Sequence, residues 1–236
     1  MTMSAIQTKK QLGQFFTQNS EYIFQGLEKY VKNKSVVDPF GGGGDLLHWA
    51  DVNGAKRIKG YDIDRSLVDD KIIFLNDSLL EPQRYKFVLT NPPYLNVNKA
   101  NIQTKKKYFN NFQFEDLYQI SLHSILSSEE GIVIVPINFL SAQNSESIRR
   151  EFFSRFEIVE MNYFKEQVFP DTTYNVIAFY YRKKENPLAD NFTISTRIFP
   201  DNKHVDIELR KNFGWLIGGD LVSQIDNQEN VLMIRR

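Results

Sequence analysis

Lys86-Phe87-Val88-Leu89-Thr90-Asn91-Pro92-Pro93-Tyr94 is the stretch on which the reading of this chain turns. Its first half is short, apolar and rich in β-branched and aromatic residues, the pattern of a buried strand. Pro92 and Pro93 lack backbone N–H groups and fix φ, so the ladder must stop there. The strand therefore gives way to a rigid turn that projects an amide, exposed carbonyls and an aromatic ring. In an α/β sheet the carboxyl ends of the strands are where ligands bind. A planar substrate amine could give its two hydrogens to the Asn91 oxygen and the Pro92 carbonyl, with Tyr94 stacked on its ring. A strand followed by a plain proline turn is the competing reading, and the rest of the chain must decide.

Upstream, Ser35-Val36-Val37-Asp38-Pro39-Phe40 runs into Gly41-Gly42-Gly43-Gly44 and then into the amphipathic Asp45-Leu46-Leu47. Glycine permits positive φ and close approach of a ligand to the backbone. The strict dinucleotide fingerprint GxGxxG is absent, and no Lys-Ser/Thr follows to make a phosphate loop. An Asp at the strand end suits a cationic ligand such as the amino-acid end of S-adenosylmethionine. A second strand, Arg57 to Asp62, ends in an acid about twenty residues past the glycines, where a carboxylate holds ribose hydroxyls. A third, Ile72 to Leu75, ends in Asn76-Asp77-Ser78, and an Asp there can accept from the exocyclic amine of an adenine. Each acidic strand end is a weak sign alone; Asp38, Asp62 and Asp77 in succession before Asn91 are a strong joint one.

Composition sets bounds. The chain has 236 residues, 42% hydrophobic, with 19 Phe and 11 Tyr, ample for one large core and an appendage. There is no cysteine, so disulfides and thiolate metal sites are excluded, and three scattered histidines predict no metal centre. The apolar run from Gly131 to Leu140 is too short to span a bilayer, and no apolar targeting core precedes Lys9-Lys10. A soluble, cytoplasmic protein without membrane contact is expected. The zero net charge counts mildly against a dedicated nucleic-acid binder. Locally the balance differs: Leu95 to Phe114 carries Lys99, Lys105, Lys106 and Lys107 and no acid, a basic loop able to clamp phosphate beside the pocket. A solvated charge run is the alternative.

The series Phe16-Thr17, Asp38-Pro39-Phe40-Gly41-Gly42-Gly43, Gly60-Tyr61-Asp62, Asn76-Asp77 and Asn91-Pro92-Pro93-Tyr94 resembles the S-adenosylmethionine-dependent adenine-N6 DNA methyltransferases. The motif order is that of the gamma group. The interval from Ser78 to Thr90 is too short for an inserted recognition domain, and downstream Asp116-Leu117-Tyr118, Gly131 to Pro136, Ser147 to Phe153 and Val168-Phe169-Pro170 continue the likeness, which covers about residues 11–184. The resemblance implies S-adenosyl-L-methionine as cofactor and flipped-out adenine in DNA as substrate, in a restriction-modification setting. It implies that Thr17 contacts the methionine carboxylate and Asp38 lies near the methionine amino group. Phe40, Gly41 and Gly43 would line the cofactor, Asp62 hold the ribose, Ile63 meet the adenine, and Asp77 with Ser78 bind its amine. Asn91, Pro92 and Tyr94 would grip the target base, and Phe169 would contact it from the other side. RNA adenine and a protein glutamine amide are alternative acceptors, and a non-catalytic cofactor-binding subunit is an alternative role.

The expected fold is α/β: a Rossmann-like, seven-stranded class I methyltransferase sheet with strands near 35–38, 57–62, 72–76, 86–90, 131–136, 157–163 and 174–182. All are parallel except the last, whose reversal the resemblance implies. Residues 9–185 would form this domain. Residues 186–236 would be a small extension with two strands, 192–199 and 205–209, too small for a target-recognition domain. A partner specificity subunit, a longer parent protein or degenerate function are the three explanations left open. A helix capped by Ser20 is expected to run through Tyr30.

Overall fold

The structure, a computed structural model, describes residues 17, 19–169 and 174–226. Nine strands form a single sheet in the order β3-β2-β1-β4-β5-β7-β6-β8-β9. They are β1 (Ser35–Asp38), β2 (Arg57–Asp62), β3 (Ile73–Leu75), β4 (Phe87–Thr90), β5 (Glu130–Pro136), β6 (Phe156–Phe164), β7 (Val176–Lys183), β8 (Asn191–Phe199) and β9 (Lys203–Arg210). The pairs β1–β2, β2–β3, β1–β4 and β4–β5 are parallel, and β7 runs antiparallel to both β5 and β6. This is the expected Rossmann-like methyltransferase sheet. The two strands beyond residue 186 continue it, β8 pairing parallel to β6 and β9 antiparallel to β8.

The central strands β4, β5 and β7 are apolar over most of their length because both faces are covered. Side chains alternate across the pleat, so successive residues enter different cores. Val88, Val133, Val135, Phe179 and Tyr181 pack on one face with Leu122, Ile148, Phe152 and Phe153. Phe87, Leu89, Ile132, Ile134, Ala178 and Tyr180 pack on the other with Ile23, Leu46, Trp49 and Ala50. The helices follow suit: α1 (Ser20–Ile23) and α2 (Asp45–Val52) lie on the second face, α3 (Leu117–Ser124) and α4 (Glu146–Phe153) on the first.

The N-terminal helix is shorter than its periodicity predicts. It stops at Ile23, Gly26 takes φ +88°, and a separate 3-10 turn covers Glu28–Tyr30. The reason is tertiary. Asn162 Nδ2 donates to the carbonyls of Ile23 and Gln25, each at 3.0 Å, and Arg197 Nη1 donates to Gln25 O at 3.2 Å. Carbonyls that a continuing helix would use are thereby taken by β6 and β8.

After β9 the chain turns back through Trp215, which is buried between Phe153 and Phe192. Buried Arg149 of α4 ties this segment down, donating to the carbonyls of Gly214, Phe139 and Ala142. The region ends in α5 (Gly219–Asp226).

Gly131 faces Val88 in the β4–β5 register, where a Cβ would stand 2.4 Å from Val88 O and 3.0 Å from the Tyr181 ring. Gly131→Ala should therefore lower the unfolding free energy by about 1–3 kcal/mol through overpacking. Urea unfolding reads this as a reduced midpoint; an unchanged midpoint would contradict the close approach.

Candidate active-site cleft

The sheet order places a switch point between β1 and β4, whose following segments pass to opposite faces. Such a point opens a crevice at the strands' carboxyl ends. Here the two ends are tied together: Thr90 Oγ1 donates to Asp38 Oδ1 at 2.7 Å, and the same oxygen accepts from Phe40 N at 3.0 Å. Asp38 is 1% exposed. Burial pushes its carboxyl up to about 7, against the opposing pull of Thr90 and Phe40, with nearby Asp62 adding to the rise.

Above this tie lies a cleft open to solvent and lined by Phe40, Gly42, Asp62, Ile63, Asp77, Ser78 and Asn91 among others. Asp62 stands at the end of β2 with both oxygens fixed by backbone donors, Gly42 N to Oδ2 at 2.8 Å and Asp64 N to Oδ1 at 2.7 Å. Burial raises its pKa against those bonds. A carboxylate oxygen held by one N–H keeps a second lone pair for a ligand hydroxyl. Asp77 and Ser78 sit beyond β3. Ser78 is buried, and its hydroxyl accepts from Asn76 Nδ2 at 3.1 Å.

Asn91 is 8% exposed and gripped at both ends of its amide. Nδ2 donates to Thr17 Oγ1 at 3.1 Å, and Oδ1 accepts from Tyr94 OH at 2.7 Å. The two Thr17 and Tyr94 bonds fix which face of the amide carries the acceptor.

The predicted residues take different positions around the cleft. Asp38, Gly41 and Gly43 are not part of the cleft lining. Asp38 lies beneath it as a brace. Gly41 is buried, with its N–H on Tyr61 O at 2.7 Å. Gly43 is exposed; the glycine facing the cleft is Gly42, at φ +51°. Thr17 is buried against Asn91, while its motif neighbour Phe16 falls outside the described residues.

Tyr94 is 7% exposed, edge-on to Tyr118 at 6.3 Å, with its hydroxyl also 2.9 Å from Ile134 O. It therefore braces Asn91, with its ring largely buried. Its buried ring and satisfied hydroxyl explain that placement. Phe169 is 2% exposed and packs with Phe164, Val176 and Phe199, so it is not brought to the cleft; residues 170–173 beside it fall outside the described set.

The four lysines also separate. Lys99, Lys106 and Lys107 are exposed and Lys105 is half-buried; of the four, Lys107 reaches Asp77, its Nζ 2.7 Å from Oδ2. Among the described residues no cluster of His, Asp or Glu is placed to hold a metal ion, and no helix is long and apolar enough to cross a membrane.

The sequence profile of the Eco57I restriction-modification methylases matches residues 5–169, well over half of the chain. The chain belongs to that family. It is 29% identical over 203 residues to the type II methyltransferase M.HincII of Haemophilus influenzae, covering 79% of this chain and 40% of that protein. Over a stretch of the same length it is 29% identical to M.HindII of Haemophilus influenzae, covering 79% of this chain and 38% of that one. The chain thus spans about two fifths of the length of these relatives. Among solved structures, the EcoKI M protein shares the fold with a TM-score of 0.60 at 18% identity, over 79% of this chain and 49% of that one. A modification subunit of a type I restriction enzyme from Vibrio vulnificus also gives 0.60, at 16% identity, over 97% of this chain and 57% of that one.

Around the cleft the sequence left some residues unassigned. Leu79, Pro93, Tyr108 and Leu117 complete the wall together with Pro39 and Asn76. Pro39, Asn76 and Pro93 adjoin the motifs and could have been read from them. Tyr108 could not, because it returns to the cleft from far along the basic loop.

The Asp38 carboxyl yields a pH signature. Its pKa is higher folded, about 7, than its ordinary value of 3.8. Below that ordinary value neither state is charged, between the two only the unfolded chain loses the proton, and above about 7 the full penalty is present. Asp62 and Asp116 are raised likewise, so the variant difference is the informative quantity. Asp38→Asn keeps an acceptor for Thr90 and Phe40. In ligand-free protein its stability relative to wild type should rise from about pH 4 to about pH 7 and then level, in urea unfolding across a pH series.

Proposed function

We propose that this methylase transfers a methyl group from S-adenosylmethionine to N6 of an adenine turned out of DNA, within a restriction-modification system. The observation that carries the reading is Asn91 at the end of β4, its amide anchored by Thr17 and Tyr94, on the rim of the same cleft that displays Asp62 and Asp77. The cleft suits the cofactor. Asp62 has fixed acceptors for vicinal hydroxyls, Ile63, Phe40 and Leu117 give apolar surface for a purine, and Asp77 is an acceptor for its amine. Asp38, buried near neutrality beneath the glycine turn, gains a partner if an ammonium group approaches.

The cofactor supplies a methyl group already activated on a sulfonium sulfur, so the chain's task is positioning. The N6 lone pair of adenine is delocalised into the ring. Asn91 Oδ1 and the Pro92 carbonyl, by accepting the two N6 hydrogens, would favour a pyramidal nitrogen and stabilise the positive charge that builds on it. That is preorganised electrostatics directed at the transition state, and it needs no general base. An adenine in a duplex reaches such a rim only when extruded. The exposed Lys99 and Lys106 beside the cleft suit phosphate. Residues 9–185 are proposed as the methyltransferase domain and 186–236 as its extension, with target recognition carried by a partner subunit or by further sequence of a longer protein.

The test is transfer of label from radiolabelled S-adenosylmethionine to mixed-sequence DNA, total RNA and protein in separate reactions. Label should enter DNA at adenine. Asn91→Ala should lower the rate by on the order of a hundredfold or more, as loss of a transition-state contact does, with cofactor affinity unchanged. Label in RNA or protein alone would overturn the DNA reading, and full activity of Asn91→Ala would overturn the role of the amide.

A further inference from the structure

The basic segment after Asn91-Pro92-Pro93-Tyr94 is two-sided. One helical turn of it, Lys105–Phe109, places two donors on a single oxygen: Lys107 Nζ lies 2.7 Å from Asp77 Oδ2, and Tyr108 OH donates to that oxygen at 3.1 Å. Tyr108 is 4% exposed and forms part of the cleft wall, in one apolar cluster with Phe40 and Ile63. Phe109, 7% exposed, roots the turn among Leu79, Leu95, Leu117 and Ile120. The opposite side is open, with Lys106 exposed and Ile102 84% exposed. At its start the segment is pinned by Leu95 N on Asp116 Oδ1 at 3.1 Å and Val97 N on Glu115 O at 2.8 Å.

We propose that residues 97–112 are a strap over the adenine end of the cofactor cleft, latched by Lys107 and Tyr108 on Asp77. The inference rests on the cofactor reading above and deepens it by adding two residues to the site. A carboxylate accepts up to about four hydrogen bonds, so Asp77 holds the latch and still accepts from a purine amine. Lys107 also neutralises a charge that a neutral purine would otherwise face alone. The Asp77 side chain is 18% exposed and that of Lys107 44%, so the ion pair is wet enough to open and close. The pair holds the strap against the cleft wall, so ligand exit is eased when it parts. The sequence grouped Lys107 with the other lysines as a phosphate contact; the fold gives it to the cofactor side and leaves Lys106 outside.

S-adenosylhomocysteine serves as probe, its affinity and dissociation rate measured on the intact chain for wild type, Lys107→Met, Lys107→Arg and Tyr108→Phe. Lys107→Met should release the probe about twofold to fivefold faster, the range a part-exposed ion pair supports, and Lys107→Arg should restore slow release. Tyr108→Phe should show a smaller acceleration. Added salt should hasten release from wild type and leave Lys107→Met unchanged, because only the former has a pair to screen. Trypsin cleavage after Lys105 and Lys106 should be slowed by the probe in wild type and less so in Lys107→Met. Thermal unfolding confirms that each variant is folded. Equal release rates and equal salt dependence, or tighter binding by Lys107→Met, would overturn the latch while sparing the cofactor reading. Failure of folded wild type to bind the probe would overturn that reading and the latch with it.

Discussion

The hydrogen bond from Thr90 to Asp38 is the contact on which the site depends. It joins the carboxyl ends of two neighbouring parallel strands at the point where the chain diverges to opposite faces of the sheet. Without a tie, two such ends are free to splay. With it, the glycine turn after β1 and the proline turn after β4 hold one fixed separation. The tie costs something, since Asp38 is fully enclosed and its charge is penalised by burial. Burying a carboxyl at this junction costs stability at any pH where it would otherwise ionise.

The cleft above shows the same economy of means. Backbone N–H groups left unpaired at strand ends need acceptors, and the side chains that supply them are the acidic residues of the site. Gly42 and Asp64 donate to Asp62, while Phe40 donates to Asp38. Local structure therefore orients these side chains: a carboxylate aimed by two amides has little freedom left. Asn91 is treated similarly, with Thr17 on one end of its amide and Tyr94 on the other. An amide clamped at both ends loses little freedom when it meets a substrate.

The C-terminal strands show how a sheet grows without a new core. β8 lies beside β6, and Trp215 returns to cover Phe153 and Phe192, so the appended chain extends the existing layers. The same strands reach back to the amino terminus through Arg197 and Gln25. One end of the chain thereby shapes the other.

How much was legible beforehand depends on the range of the interactions. All nine strands could be read, because runs of β-branched, aromatic and alternating residues mark a strand without reference to its partner, and β1, β2 and β5 also end in an acid or a proline. The succession Asp38, Asp62, Asp77 and Asn91 could be read because strand ends in a parallel sheet all come to one edge, whatever the strand order in detail. Everything that depends on a distant donor or a competing cavity required the tertiary structure. The helix after Ser20 stops early because Asn162 and Arg197 take its carbonyls. Tyr94 and Phe169 are aromatic in the right places along the chain, yet burial against the core is their lower free energy here, and no local pattern distinguishes a ring that stacks on a ligand from one that packs inward. Lys107 looks like its neighbours until the turn it sits on rotates it toward Asp77. The sequence by itself determined the sheet and the acids along its edge. Only the folded chain decided which side chains turn into the cleft, because that choice is a balance among burial, hydrogen bonding and charge between residues far apart in the chain.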